Sequence, residues 1–106
     1  MMTAKSFLLS LPEKLNADII GDKTTCFHFI IEGEDGGNFT VNVSDGKCTV
    51  TNQLEGEPKC TVRSTDKNLE GILNKSINPM MAVMTGKVKF DNQGELLKYA
   101  KLFGLM

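Results

Sequence analysis

One stretch of this 106-residue chain constrains the fold more than any other, because it alternates with a period of two. In NFTVNVS, residues 38–44, polar side chains alternate with Phe39, Val41 and Val43, the pattern of a strand with one buried face. Asp45-Gly46 follows at once, and Asp-Gly is a strong signal for a tight hairpin turn because glycine accepts a positive φ there. The sequence therefore predicts an antiparallel hairpin near the middle of the chain.

Further segments with strand-like patterns lie on both sides of this hairpin. The segment TCFHFIIE precedes it and places Phe27, Phe29 and Ile31 on one face. A glycine-rich turn joins that segment to the hairpin. The predicted strands are residues 25–32, residues 38–44, a segment around Cys48 and Val50, residues 60–63 and residues 87–91.

Helical spacing of apolar residues predicts two short helices before the first strand. Proline lacks a backbone N–H and its ring clashes with the preceding turn, so Pro12 is expected to interrupt the helical pattern. We therefore predict one helix over about 3–10 and a second over about 12–20, which Gly21 ends.

Two helices are predicted between the fourth and fifth strands, and one after the fifth. Ser64 or Thr65 can cap the first of them. Asn78 begins the second, with Pro79 in its first turn, and Gly86 ends it. Their buried positions, and those of the last helix, are expected at Leu69, Ile72 and Leu73 and at Leu96, Tyr99, Ala100 and Phe103.

This order of elements predicts an α+β fold in which residues 1–106 form a single domain. We expect a five-stranded, mostly antiparallel sheet with the helices packed on one face. A chain of this length buries roughly 65% of the surface of its unfolded state, which is enough for one core.

Composition argues against several classes of partner. The formal net charge is −1, the pI is about 5.8, and no block of lysine or arginine is present. These values give no electrostatic reason to expect binding to nucleic acid or to an anionic membrane. The apolar run near the N-terminus is too short for an export signal or a membrane span. Three cysteines without a C-x-x-C pair then predict reduced thiols in a cytoplasmic protein.

The sequence offers little for catalysis or metal binding. His28, the one histidine, lies in mid-strand and is expected to be half exposed rather than a catalytic base. Cys26 shares its face, and Cys60 could join them, but zinc requires four tetrahedral ligands. The acids of residues 32–35 lack the spacing of a calcium loop. We predict no catalytic residue, no metal site and no cofactor; an enzyme that uses Cys26 or Cys60 is the weakest alternative.

The methionines near the end of the chain remain open to two interpretations. Met80, Met81 and Met84 are three of the six methionines and fall within five residues. Met80, Val83 and Met84 share one face of the predicted helix. Methionine is flexible and polarisable, so this stripe could fill gaps in a core or line a cavity for a ligand. Periodicity alone does not separate the two.

Four segments together resemble the sterol carrier protein type 2 family, in its short stand-alone prokaryotic form. They are LPEKLNADIIG, FHFIIEGEDGGNFTVNVSDGKCTV, CTVRSTDKNLEGIL and INPMMAVMTGKVKF, which cover nearly the whole chain. The last is the most specific, because Asn-Pro, a Met-rich turn, Gly-Lys and an alternating strand recur in that order in the family. One difference is that Lys75 stands where a glycine is often found shortly before the Asn-Pro pair.

The resemblance implies a function as well as a fold. Members of the family enclose an apolar tunnel between sheet and helices, which binds fatty acids, acyl-CoA, phospholipids or sterols. They act as carriers and not usually as catalysts. The resemblance therefore implies a non-enzymatic lipid binder without stable membrane insertion. The ligand-binding residues it implies are Leu73, Ile77, Met80, Met84, Phe90, Leu97 and Phe103.

The alternative is a module for protein interaction or homodimerisation in which the cavity is vestigial. The apolar C-terminus, residues 102–106, suits either function, since it could plug a cavity or cover a neighbouring copy.

Overall fold

A computed structural model of the chain describes residues 2–105; Met106, part of the apolar C-terminus, lies outside them. The helices and strands follow the predicted order. They are α1 (Ala4–Lys14), α2 (Ala17–Ile20), β1 (Thr25–Glu32), β2 (Gly37–Ser44), β3 (Lys47–Thr51), β4 (Cys60–Thr65), α3 (Asp66–Leu73), α4 (Pro79–Met84), β5 (Val88–Phe90) and α5 (Gln93–Phe103).

The five strands form one sheet in the order β3-β2-β1-β4-β5. Every neighbouring pair is antiparallel except β1 and β4, which run parallel. Asp45 and Gly46 both have positive φ, 52° and 74°, in the turn between β2 and β3, as the Asp-Gly signal predicts. The α+β class and the mostly antiparallel sheet are confirmed.

The core lies between one face of the sheet and the helices. The strand register places Phe27 opposite Val41, and Phe29 between Phe39 on one side and Val62 on the other. All five side chains are at least 98% buried. The helices cover this face and contribute further buried apolar residues, which include Phe7, Leu8, Leu11, Ile20, Leu69, Tyr99 and Phe103.

The opposite face of the sheet is crossed by residues 52–59, which connect β3 at one edge to β4 on the other side of β1. The carbonyl of Glu55 lies 2.8 Å from Nε2 of His28, and the Thr40 hydroxyl donates to the carbonyl of Gln53. His28 is therefore 9% exposed. The expectation of a half-exposed histidine is wrong, because a connection from distant strands covers it.

The strand register also excludes one alternative for the cysteines. Cys60 lies opposite Phe27 in the β1–β4 pair, so it points to the helical face. Cys26 and His28 point to the other face, because side chains alternate along a strand. The three side chains therefore do not form the metal site considered above.

Pro12 does not interrupt the first helix where the sequence predicts. The helix α1 continues from Ala4 through Pro12 to Lys14, and the break comes at Asn16, whose side chain accepts from the N–H of Ile19 and begins α2. Pro12 has no N–H to donate to the carbonyl of Leu8, four residues earlier in the helix. The side chains of Leu8 and Leu11 are buried, so their packing outweighs the local cost of the proline.

Two carboxylates of α3 bind the N-terminus of α1 and the β1–β2 turn. The Glu70 carboxylate accepts from the N–H of Ala4 at 3.0 Å, at a helix end where backbone donors are otherwise unpaired. The Asp66 carboxylate accepts from the N–H groups of Asp35 and Lys67. The hydrogen bond from Asp35 is the main reason that the pKa of Asp66 lies below its ordinary value.

No helix within residues 2–105 is long and apolar enough to cross a membrane.

The contacts of Asp66 predict a stability that falls in acid. Because its folded-state pKa is lowered, the contribution is complete above the ordinary pKa of about 3.9 and disappears as the pH falls through the lowered value. We expect Asp66→Asn to lower the urea midpoint at neutral pH, and its difference from wild type to shrink below about pH 4. The matched control is Asp22→Asn at an exposed site. A constant difference down to the acid limit would contradict the assignment.

Lys75 provides a second test, because its backbone has a φ of 68°. A residue with a Cβ is disfavoured in this left-handed region by about 1–2 kcal/mol, whereas glycine adopts it without that cost. We expect Lys75→Gly to raise the unfolding free energy by about 1 kcal/mol in urea titrations. Lys75→Ala separates this effect from the loss of charge, and a stabilisation equal to that of the glycine variant would argue against backbone strain.

Candidate functional site

An apolar cavity lies between the sheet and helices α3, α4 and α5. Its volume is about 70 Å³. Ser64 is the one polar residue among the described residues that line it. The lining consists of Phe29, Val62, Ser64 and Val88 from the sheet, Leu69 and Ile72 from α3, Pro79, Met80 and Val83 from α4, and Leu96, Leu97, Ala100 and Leu105 from α5 and its end.

The outer wall of this cavity is the six-residue helix α4. Asn78 caps it by accepting from the N–H groups of Met80 and Met81, and Pro79 occupies the first turn. Ala82 is its one buried residue, whereas Met80, Met81 and Met84 are 61%, 53% and 77% exposed. The helix thus buries a single small side chain and presents its methionines to solvent.

This exposure excludes one of the two interpretations of the methionines. A core residue is typically more than 90% buried, and none of these three approaches that value. The interpretation in which they fill gaps in the core is wrong. The sequence could not show that the methionines are exposed, because apolar residues at helical spacing do not by themselves reveal which face of the helix meets the sheet.

A second, more open cleft of about 380 Å³ lies between α1, α2 and the ends of α3 and α5. Its walls are mixed, since Lys14, Glu70 and Asn74 line it beside apolar residues. The apolar part consists of Met2, Phe7, Leu11, Leu15, Ile19, Leu73, Leu102 and Phe103.

The last turn of α5 separates the cleft from the cavity. Phe103 packs edge-on against Phe27 and Phe29, with ring centroids 5.2 and 6.3 Å apart, and lies against Tyr99 at 6.0 Å. Gly104 then ends the helix with a φ of 84°, and Leu105 turns back so that its N–H donates to the carbonyl of Ala100. Phe103 consequently faces the cleft and Leu105 the cavity.

The seven predicted ligand-binding residues are divided among different parts of the structure. Met80 and Leu97 line the apolar cavity, and Leu73 and Phe103 line the cleft. The other three line neither: Ile77 packs on Gly71, where a side chain would collide with it, Met84 is exposed, and Phe90 packs at the edge of the sheet beside Val62. Ligand binding by the seven remains a prediction.

Several lining residues were missed by the sequence reasoning. Ile72 was expected to be buried, but not to face a cavity, and Ser64 was considered only as a helix cap. The alternation Val62-Ser64 in β4 carried a usable signal, since it places Ser64 on the same face as Val62.

The cysteines and the clustered carboxylates among the described residues have structural roles. Burial raises the pKa of Cys48 to about 11 and raises the pKa of Cys26 and Cys60, so their reactive thiolate forms are disfavoured. Asp35, Asp66 and Glu70 are close enough to hold a cation, but Asp66 and Glu70 already accept backbone N–H groups and Lys67 lies 3.5 Å from Glu70.

Comparison with known proteins identifies one matching family, and the match spans nearly the whole chain. A family model described as the SCP-2 sterol transfer family matches residues 8–105. No curated protein matches the chain significantly.

Three solved structures illustrate the range of similar proteins. The sec-alkylsulfatase Pisa1 from Pseudomonas sp. is 23% identical over 99% of this chain, with a TM-score of 0.76, but this chain spans only 16% of its length. A sterol carrier protein domain of Helicoverpa armigera is 24% identical, with a TM-score of 0.73 over 93% of this chain and 81% of its own. The palmitated SCP2L2 of Aedes aegypti is 18% identical, with a TM-score of 0.65 over 96% and 95%.

The difference in burial between two of the proposed site residues predicts very different changes in the unfolding free energy when each is replaced by alanine. Phe103→Ala removes a ring that is 2% exposed and should lower the unfolding free energy by about 3–5 kcal/mol. Met84→Ala, at a side chain 77% exposed, should change it by no more than about 0.5 kcal/mol. Urea titration of both variants measures the difference. A large loss for Met84→Ala would mean that α4 packs more tightly than described.

Proposed function

The chain belongs to the SCP-2 sterol transfer family, and on that premise we propose that it binds and carries hydrophobic lipids without catalysing a reaction. The observation that supports this most directly is the apolar cavity beneath α4. Twelve of the thirteen lining residues within the described part of the chain are apolar, and the helix that forms the outer wall has one buried residue.

The ligand we propose is a lipid with a long hydrocarbon chain. Each methylene group that leaves water for an apolar site contributes about 0.8 kcal/mol, so a sixteen-carbon chain gains roughly 12 kcal/mol before ordering and association costs. None of the described residues that line the cavity is a charged partner for a head group. We therefore expect broad specificity among fatty acids, acyl-CoA, phospholipids and sterols, decided by the apolar part of the ligand.

Binding requires the cavity to widen. Sites for ligands of this size have volumes of about 300–1,000 Å³, and the cavity has about 70 Å³. The wall that can move most readily is α4, because it contributes one small buried side chain, Ala82, to the core. The unbranched side chains of Met80 and its neighbours can then adapt to chains of different shape.

Two observations bear on the remaining alternatives. An enzyme that uses a cysteine is disfavoured because the pKa of each thiol is raised. The exposed methionines also suit an interaction or dimerisation module, but one of them, Met80, lines the apolar cavity, as the wall of a lipid site would.

Neighbouring residues of α3 allow a test of which space holds the lipid. Ile72 lines the apolar cavity and Leu73 lines the cleft, and both are partly exposed. We expect Ile72→Trp to fill the cavity and weaken binding of a fluorescent fatty acid about tenfold or more, a loss of about 1.4 kcal/mol. Leu73→Trp should leave the affinity within about twofold.

Further measurements distinguish a wrong location for the lipid from the absence of lipid binding. Gentle mass spectrometry of freshly purified protein, with organic extraction of the same sample, shows independently whether a lipid co-purifies. Loss of binding in Leu73→Trp alone would assign the lipid to the cleft. Wild-type protein that carries no lipid and takes up no fatty acid would instead contradict lipid binding and favour the interaction module.

A further inference from the structure

We propose that the exposed surface of α4 and α5 is a docking site for the anionic surface of a lipid bilayer. We call it the methionine patch and define it by Met80, Met81, Met84 and Leu97. The proposal rests on the proposed function, since it identifies where a carrier of this kind would exchange its lipid. Three observations support it: the position of the patch, its exposure and the distribution of charge around it.

The patch lies at the mouth of the apolar cavity. Met80 and Leu97 line the cavity and are also 61% and 52% exposed, so the same side chains face its interior and the solvent. Met81 and Met84 extend the apolar surface outward along α4. Apolar side chains grouped in this way are typical of a protein or membrane contact. A lipid chain that left a bilayer at this point would enter the cavity without crossing water.

The distribution of charge favours an anionic surface as the partner. Residues 71–90 and 96–106, which contain the patch, hold five lysines and no acidic residue. The rest of the chain holds seven basic and thirteen acidic side chains, an excess of six negative charges. The net charge of −1 therefore hides two regions of opposite sign. The expectation that there is no electrostatic reason to approach an anionic membrane was drawn from the net charge of the whole chain, which does not describe this surface.

Four of the five lysines lie in α5 or on the segments next to α4, the two helices that carry the patch. Lys101 is one turn after Leu97 on the same side of α5, and Lys98 is the next residue along that helix; both are exposed. Lys75 and Lys87, also exposed, lie on the segments that lead into and out of α4. Lys89 lies in β5 beside Arg63 and faces the other side of the sheet. Each lysine near an anionic bilayer contributes about 1 kcal/mol.

A second copy of this chain fits the surface less well than a bilayer does. A two-fold dimer through the methionine patch would place the same lysines of both copies near one another. Like charges brought together at an interface oppose association. A bilayer presents phosphates to the lysines and hydrocarbon to the methionines, so it satisfies both parts of the surface.

The test measures co-sedimentation with vesicles of phosphatidylglycerol and phosphatidylcholine, without added fatty acid. We expect binding to the anionic vesicles, weaker binding as salt increases, and little binding to pure phosphatidylcholine. Lys98→Glu/Lys101→Glu should lower the affinity at least about tenfold. Its matched control is Lys23→Glu/Lys47→Glu, which makes the same charge change outside the two segments and should lower the affinity no more than about twofold.

The apolar part of the patch has its own matched pair. Met81→Asp and Leu9→Asp each replace an exposed apolar residue of a helix, 53% and 45% exposed, with one negative charge. Only Met81→Asp should weaken vesicle binding. Equal losses within either pair, or no binding of wild type to anionic vesicles, would overturn the proposal. So would variants that leave vesicle binding unchanged but shift a dimer to a monomer in sedimentation velocity, since a second copy would then be the occupant.

The failure of this proposal can be distinguished from failure of the proposed function. Fatty-acid uptake is measured without vesicles and docking without fatty acid. Uptake without docking would preserve the carrier and remove the docking site, whereas docking without uptake would leave a protein that binds bilayers but carries nothing.

Discussion

The packing of Phe103 against the centre of the sheet is the contact on which both candidate spaces depend. Its ring meets Phe27 and Phe29 of the central strand edge-on and lies against Tyr99 one turn earlier in α5. Aromatic pairs in this geometry contribute about 0.5–1.5 kcal/mol each beyond the area they bury. They fix the end of α5 over β1, and this position makes Phe103 a wall of the cleft and Leu105 a wall of the apolar cavity.

The stability of the domain and the proposed lipid site depend on different parts of the structure. The sheet, α1 and α5 bury large side chains in continuous contact, and carboxylates of α3 accept N–H groups from the start of α1 and from the β1–β2 turn. In α4, by contrast, only Ala82 is buried. Regions with few buried apolar contacts open most easily, so α4 can move while the rest stays folded. A carrier needs this combination, because a rigid core alone would leave no route for the lipid.

The unusual feature of α4 is that its largest apolar side chains face outward. In a typical surface helix the apolar face meets the core and the charged face meets water. Here α4 itself has no charged residue, and the nearest lysines lie on the segments beside it and on α5. Exposed methionines with lysines on the flanking segments would suit the partner proposed above, which is apolar inside and negative at its surface.

The sequence by itself determined the elements and their order. Period-two alternation, the Asp-Gly turn, the Asn78 cap and Gly86 at the end of α4 act through neighbouring residues, so local physics was sufficient to place all five strands and the helices α3, α4 and α5. Tertiary structure decided what depends on distant contacts: the continuation of α1 through Pro12, the burial of His28 under residues 52–59, and the outward direction of the methionines. It also decided which lining residues meet in one cavity, because only packing between separate elements encloses a volume.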